Sequence, residues 1–428
     1  MKTWHIMIMF FALCSLGVGC VNQEKGCTDL VALNYNPNAL RDNGDCIYAL
    51  PVPSIYQFKR KNITSVDYRP QVVLKLLIEA ITTTIEQTAQ PGASPIEVSA
   101  LNTIYQQTDY NQSILSSVVP YSPSATQYTQ IAASQRLAGN VVNTLKADSM
   151  LLAWFDTIAT RSQNAAYLGT SDVHTTSKGI DLLAATKITL LSSVALANSI
   201  NLIRNISTNS NSTFSFNNNY TPMENAWDKA WGFFGSATVF PLYPDLTWTT
   251  THYQDQNSDQ FIDFTSEYNF AFATLAAQRD LIGDENTDFS NSLFNAWVSG
   301  RTAITNQSDV LRTSARETIL SEWQKLIAAS AIHHLNSLKI EMENYATPNE
   351  NIPQLNLDWT SLWAYLMALR YFTDSDVNAV NLLILLGEAP LYATLGTDEY
   401  NAYLVKLNLI GTAIQQAYAF SDYQMQNW

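Results

Sequence analysis

From Pro70 onward the apolar residues return with the helical period in one stretch after another, and this pattern constrains the chain more than any other feature. Such stretches run over about 145–164, 176–206, 221–235, 258–282, 287–305, 308–345, 357–372, 375–388 and 397–419. Turn-rich strings separate them, among them Leu168-Gly169-Thr170, Gly283-Asp284, Thr347-Pro348-Asn349 and Gly396-Thr397-Asp398. Apolar stripes repeated in this way bury themselves against one another, so residues 70–428 are expected to form an all-α, multi-helix bundle domain. Pro70 and Pro95 stand where a first helical turn tolerates proline, and Ser94-Pro95-Ile96-Glu97 reads as a capping box. Residues 205–219, almost entirely Asn, Ser and Thr, read as a long solvated loop.

The N-terminus has another character. Lys2 precedes a largely apolar run from Ile6 to Val18, shorter than the roughly 20 residues of a spanning helix. The string Leu16-Gly17-Val18-Gly19-Cys20 resembles the lipobox of bacterial lipoproteins, although an aliphatic residue is usual where Gly17 stands. That resemblance implies a signal peptide over 1–19, a lipid on Cys20 and attachment to the outer membrane of a Gram-negative envelope, facing either the periplasm or the exterior. Composition agrees with export. Only 14% of residues are charged, against roughly 25% in ordinary soluble domains. The net charge of −14, without any Lys/Arg cluster, argues against a nucleic-acid partner.

Four cysteines are present; Cys14 lies in the expected signal peptide and Cys20 at the lipid, which leaves Cys27 and Cys46 to form a disulfide. In the chain-entropy model a loop of that size contributes roughly 3 kcal/mol. They bracket a polar module, expected over 20–50, whose Gly26-Cys27-Thr28-Asp29, Ala32-to-Ala39 and Asp42-to-Tyr48 strings resemble a disulfide-closed motif of exported bacterial surface proteins. Asp29, Asp42, Asn43 and Asp45 could offer oxygens to Ca²⁺, and they are equally ordinary turn residues. Residues 51–69, opened by Pro51-Val52-Pro53, read as an extended linker or hairpin lead-in.

One helix looks like a site. In the string from Tyr220 to Gly235, Thr221 fits the N-cap, Pro222 the first helical position and Glu224 the third, so a helix starts there. Trp227, Trp231 and Phe234 then share a broad aromatic face, and Glu224 and Asp228 stand one turn apart. Two carboxylates beside aromatic rings can hold a cation or a polar ligand; the plainer reading makes Glu224 a cap and the tryptophans core. Arg301 follows Phe294 and Val298 on an apolar stripe and needs a carboxylate partner, for which Glu224 or Asp228 is the candidate. Glu224, Asn225, Asp228 and Arg301 are therefore the candidate ligand-binding set.

The stretch from Tyr220 to Phe233 resembles the signature Tyr-Thr-x-Met-Glu-His-x-Trp-Asp-Glu-Ala-Tyr-Gly-Tyr of a family of exported bacterial lipoproteins, domain of unknown function four-eight-five-six, akin to the imelysins. Lys178-Gly179-Ile180, Ser299 to Ile304, Ala331 to Asn336 and Trp359 to Phe372 resemble further family segments. The resemblance implies an all-helical domain and a role in envelope metal or nutrient handling. Imelysins carry a His-x-x-Glu pair proposed as a metal or peptidase motif. Here Asn225 stands in place of the family's histidine and Lys229 in place of its second acid, which removes the best transition-metal ligand. A calcium or other divalent ion bound through oxygen, or an organic ligand, survives the change better.

No zincin motif, nucleophile elbow or phosphate loop is present. His333 and His334 are adjacent and cannot chelate one ion from one helix face; His174 and His252 read as isolated, and Lys178 and Asp181 as a surface pair. Three readings follow: a binding or accessory lipoprotein for a small ligand or ion, an imelysin-like metallopeptidase, and a purely structural or interaction protein.

Overall fold

The computed structural model describes residues 24–60, 62–106, 135–212 and 219–428. The expected signal peptide of residues 1–19 and Cys20, the expected lipid site, lie outside them, as do residues 213–218 of the Asn/Ser/Thr segment. The chain divides into two compact units, one comprising residues up to Pro51 with Thr305–Ser308, the other Val52–Ile304 and Asp309–Trp428.

The first unit is held by turns and a covalent link. Two-residue strands β1 (Lys25–Gly26) and β2 (Arg41–Asp42) pair in parallel, and Cys27 and Cys46 are joined in the expected disulfide, with Cα atoms 4.9 Å apart. Asn34 braces the loop: its Oδ1 accepts from Ile47 N at 2.7 Å and its amide donates to Asp45 O at 2.7 Å. The acids considered as calcium ligands close turns instead. Asp29 Oδ1 accepts from Val31 N, Asp42 Oδ1 from Gly44 N and Asn43 Oδ1 from Asp45 N, all two residues ahead.

The second unit is helical, as the periodicity predicts. After a hairpin of β3 (Lys59–Arg60) and β4 (Ile63–Thr64) come α1 (Arg69–Gln87), α2 (Val98–Gln106) and α3 (Ala147–Ser162). Next are α4 (Leu182–Arg204), α5 (Pro222–Phe234), α6 (Asp245–Thr250), α7 (Ala271–Ile282) and α8 (Phe289–Thr305). The last are α9 (Asp309–Asn344), α10 (Ile352–Leu369), α11 (Ala379–Leu386), α12 (Asp398–Tyr418) and α13 (Asp422–Asn427). Helix α4 relaxes into a π-helical stretch at Leu191–Leu196. By length and hydropathy it could cross a membrane, but 78% of its most apolar window is buried in protein.

Four sequence expectations change. Residues 51–69 are no free linker: Tyr56 and Phe58 are buried in the core, and Tyr56 N bonds Thr238 O. Helix α2 begins at Val98 rather than with a box at Ser94, because the Ile96 amide is taken by Ser162 Oγ of α3 at 3.0 Å. Residues 258–270 are irregular. There Asp255 accepts from Asp259 N and Gln260 N, and Asp263 from Thr265 N and Ser266 N, so short acidic side chains outcompete the helical bonds. Asp181 caps α4 by accepting from Leu183 N and Ala184 N; its neighbour is His174, 3.2 Å away, not Lys178.

Helix α5 is the hub of the core, reached from α1, α4 and α8. Trp227 meets Trp297 edge-on at 5.4 Å, Trp231 meets Phe294 at 5.5 Å, and Phe234 meets Trp323 of α9 at 5.1 Å. Gly300 lets α8 close on this helix. A methyl at that position would lie 2.1 Å from Trp227 Cζ2, whereas one at Gly411 would lie 3.2 Å from the mobile end of Leu335. Gly300→Ala should therefore cost about 3 kcal/mol in urea unfolding. Gly411→Ala should stay within about 1 kcal/mol of the wild type or gain from helix propensity.

Candidate functional site

The predicted cap on α5 forms in full. Thr221 Oγ1 accepts from Glu224 N at 3.2 Å, and Glu224 Oε2 accepts from Thr221 N at 2.8 Å. Glu224 is thus fixed before it meets any cation. Arg301, 0% exposed, crosses from α8 to reach it: Nη1 donates to Glu224 Oε1 at 2.9 Å and Nε to Asp228 Oδ1 at 2.9 Å. The lead-in completes the shell. Tyr56 OH donates to Asp228 Oδ1 at 2.7 Å, Ser65 O accepts from Arg301 Nη2 at 3.2 Å, and Arg60 reaches both oxygens of Glu224 at 3.2 Å. Phe58 lies against the guanidinium, 4.9 Å from its Cζ.

Burial pushes the Asp228 carboxyl up to about 6, against the pull of Arg301 and Tyr56. Burial likewise opposes the Arg301 charge, but Asp228 and Glu224 outweigh it and hold the guanidinium above its ordinary value. The structure thus brings three of the four candidates together and leaves out the fourth. Asn225 turns about 100° around the helix from Glu224, and its amide donates to Asp67 O at 3.3 Å. None of the four lines either of the two large cavities. Among the described residues no three His, Cys, Asp or Glu side chains converge as a metal site.

The smaller of these cavities, 490 Å³, lies beside the lead-in and is lined by Tyr56, Asp67, Tyr68, Tyr220 and Asp263 among others. The larger, 730 Å³, is a partly open cavity lined by α1, α4, α10, α7, residues of the loop before α7 and His334 of α9. That volume suits a small organic molecule. Its apolar wall residues include Leu183, Ile188, Leu191, Phe272 and Leu275. Its polar wall residues include Lys75, Glu79, Lys187, His252, Asn269 and His334.

Two buried donors on that wall lack an acceptor. Lys75 is 3% exposed, and its Nζ sits 3.9 Å from the centre of the Phe270 ring with no ion-pair or hydrogen-bond partner among the described residues. Gly235, at φ +87° after α5, makes room for it: a side chain there would meet Lys75 Nζ at 2.8 Å. Asn269, 1% exposed, uses Oδ1 to accept from Ala237 N at 2.7 Å, while its Nδ2 has no partner. Burial drives the Lys75 amine well below its ordinary range. Burial lifts Glu79, one turn along α1, to about 7 against the pull of Lys187 and Lys75; the Tyr268 hydroxyl stands 3.4 Å from it.

At another point on this wall His334 stacks on Tyr365 at 5.7 Å and bonds Asp358 Oδ1 through Nδ1 at 2.8 Å. Asp358, 1% exposed, is held in turn by Ser337 Oγ at 2.6 Å and Gln354 Nε2 at 2.9 Å. A carboxylate held in this way fixes the ring and its tautomer. His334 and His252 are therefore not idle, as their sequence neighbourhoods suggest; both border the cavity. Lys75 carried a signal that sequence reading passed over, since it interrupts the apolar run from Val72 to Ile81.

A family model described as Domain of unknown function (DUF4856) matches residues 53–356. No curated protein and no solved structure matches the chain.

Removing the guanidinium strands the buried Asp228, while Glu224 keeps Arg60, so Arg301→Met should lose about 3 kcal/mol in urea unfolding. Glu79 behaves oppositely. Its carboxyl, raised from 4.5 to about 7 in the folded chain, takes up a proton on folding, so stability falls as pH rises through that window. Glu79→Gln should remove this loss, and unfolding at about pH 5 and about pH 8 should show the variant gaining roughly 2 kcal/mol relative to wild type.

Proposed function

Because the chain belongs to the DUF4856 family, whose matched region holds the ion network and all the cavity wall except Leu357, Ser361 and Tyr365, we propose that its function is the one this region is built for: holding a small molecule. On this reading the protein is a ligand-binding or accessory lipoprotein of the bacterial cell envelope. It is tethered to the outer membrane through Cys20. The observation that carries the reading is the buried Lys75, left without an acceptor among the described residues in the lining of a 730 Å³ cavity. A buried cation without a partner is costly, and a ligand that supplies the partner accounts for it.

The Glu224–Asp228–Arg301 network then serves as the scaffold. Its ion pairs fix α5, whose C-terminal Gly235 borders Lys75. The imelysin-like metallopeptidase reading draws no support from Asn225, whose amide is engaged by the Asp67 carbonyl. It also has no other ligand set among the described residues.

Native mass spectrometry of the full chain, purified from a bacterial envelope in detergent, tests the proposal. A bound small molecule is expected on the wild type. It should be absent from Ala184→Phe, which fills the cavity from α4 without touching the ion network. No bound species on either protein, with identical thermal midpoints before and after exhaustive dialysis, would overturn it.

A further inference from the structure

The cavity also identifies the class of molecule it takes, given the reading of it as the ligand site. We infer that the ligand is an organic anion with a carboxylate head and an apolar body, its head bonded by Lys75 Nζ. Lys75 is buried in the cavity lining with no ion-pair or hydrogen-bond partner among the described residues. Burial disfavours its charge, and a bound anion is what restores the ammonium form, which donates and cannot accept. A carboxylate is the complement of that group, since it only accepts and carries the opposite charge.

A neutral carbonyl accepts as well, but leaves the charge of Lys75 buried and unneutralised. Among the described residues nothing forms an ion pair in its place. Glu79 lies on the same face of α1 but outside ion-pair distance, with Tyr268 beside it and Lys187 as its other cationic neighbour. A cationic head would meet Lys75 inside and Lys187, which is exposed, on the α4 side. Leu183, Ile188, Leu191, Phe272 and Leu275 in the same lining supply a surface that suits an apolar body. The Phe270 ring under the ammonium stabilises the charge from one side and leaves the other for the head group.

Calorimetry on the detergent-solubilised full chain distinguishes the possibilities, using two matched sets: octanoate, octanamide and octylamine, and phenylacetate, phenylacetamide and benzylamine. At least one acid should bind, its amide about 30-fold more weakly, and its amine not measurably. Lys75→Met should reduce acid binding to the level of the amide. Its fold is secure, because methionine removes a buried charge and keeps the stem, so its thermal midpoint should equal or exceed that of the wild type. Asn269→Asp keeps the acceptor for Ala237 N and adds a carboxylate to the cavity lining, so it too should weaken acid binding.

Acid binding that survives both substitutions, or an amide or amine that binds as well as its acid, would overturn the anion assignment while leaving the cavity as the ligand site. Binding by none of the six would overturn the assignment as well. The broader reading would then stand or fall on the native mass spectrum.

Discussion

The buried Arg301 organises this fold. A guanidinium with no exposure is tolerable only if its donors are met, and two separate stretches of chain converge to meet them: the lead-in through Ser65, and α5 through Glu224 and Asp228. Tyr56 then stacks flat on Trp231 at 4.2 Å while bonding Asp228, so the polar network and the aromatic core share a wall. The direction of α5, the closure of α8 and the path of residues 52–68 follow from one charge and its partners. Such a network specifies an arrangement more than it stabilises one, since apolar residues of the same shape pack as well without the desolvation cost.

The helices were legible because periodicity and caps act locally. The expected stretch at 221–235 appears as α5 at Pro222–Phe234 with its capping box intact, and 308–345 appears as α9 at Asp309–Asn344. The misreadings share a cause. At 258–270 the apolar spacing suits a helix, but Asp255 and Asp263 offer the backbone nearer partners. At Ser94 the box has the right letters, yet the Ile96 amide bonds a serine in another helix. Neither competitor can be seen through a period.

The candidate site was legible by half. Arg301 could be paired with Glu224 or Asp228 because a buried cation requires an anion, and both turn out to be partners. Asn225 was grouped with them on its neighbours' account, although one residue along a helix is a large rotation. The cavity left almost no trace in the sequence. Its wall draws residues from α1, α4, α7, α9 and α10, so no local string records it. Only Lys75 and Glu79, two charges in an otherwise apolar run, mark the place.

The lead-in has a bearing on how the chain folds. Ser65 and Arg301, which bond each other, are 236 residues apart, and Tyr56 and Asp228 are 172 apart. The first part of the helical unit to leave the ribosome therefore finds its partners only after most of the remainder has followed. Contacts of such separation slow folding, because loop closure must precede their reward. Until residue 301 has emerged, the hub cannot close and Asp228 on α5 lacks its cation. A nascent chain built this way completes its core later than one stitched together by local contacts.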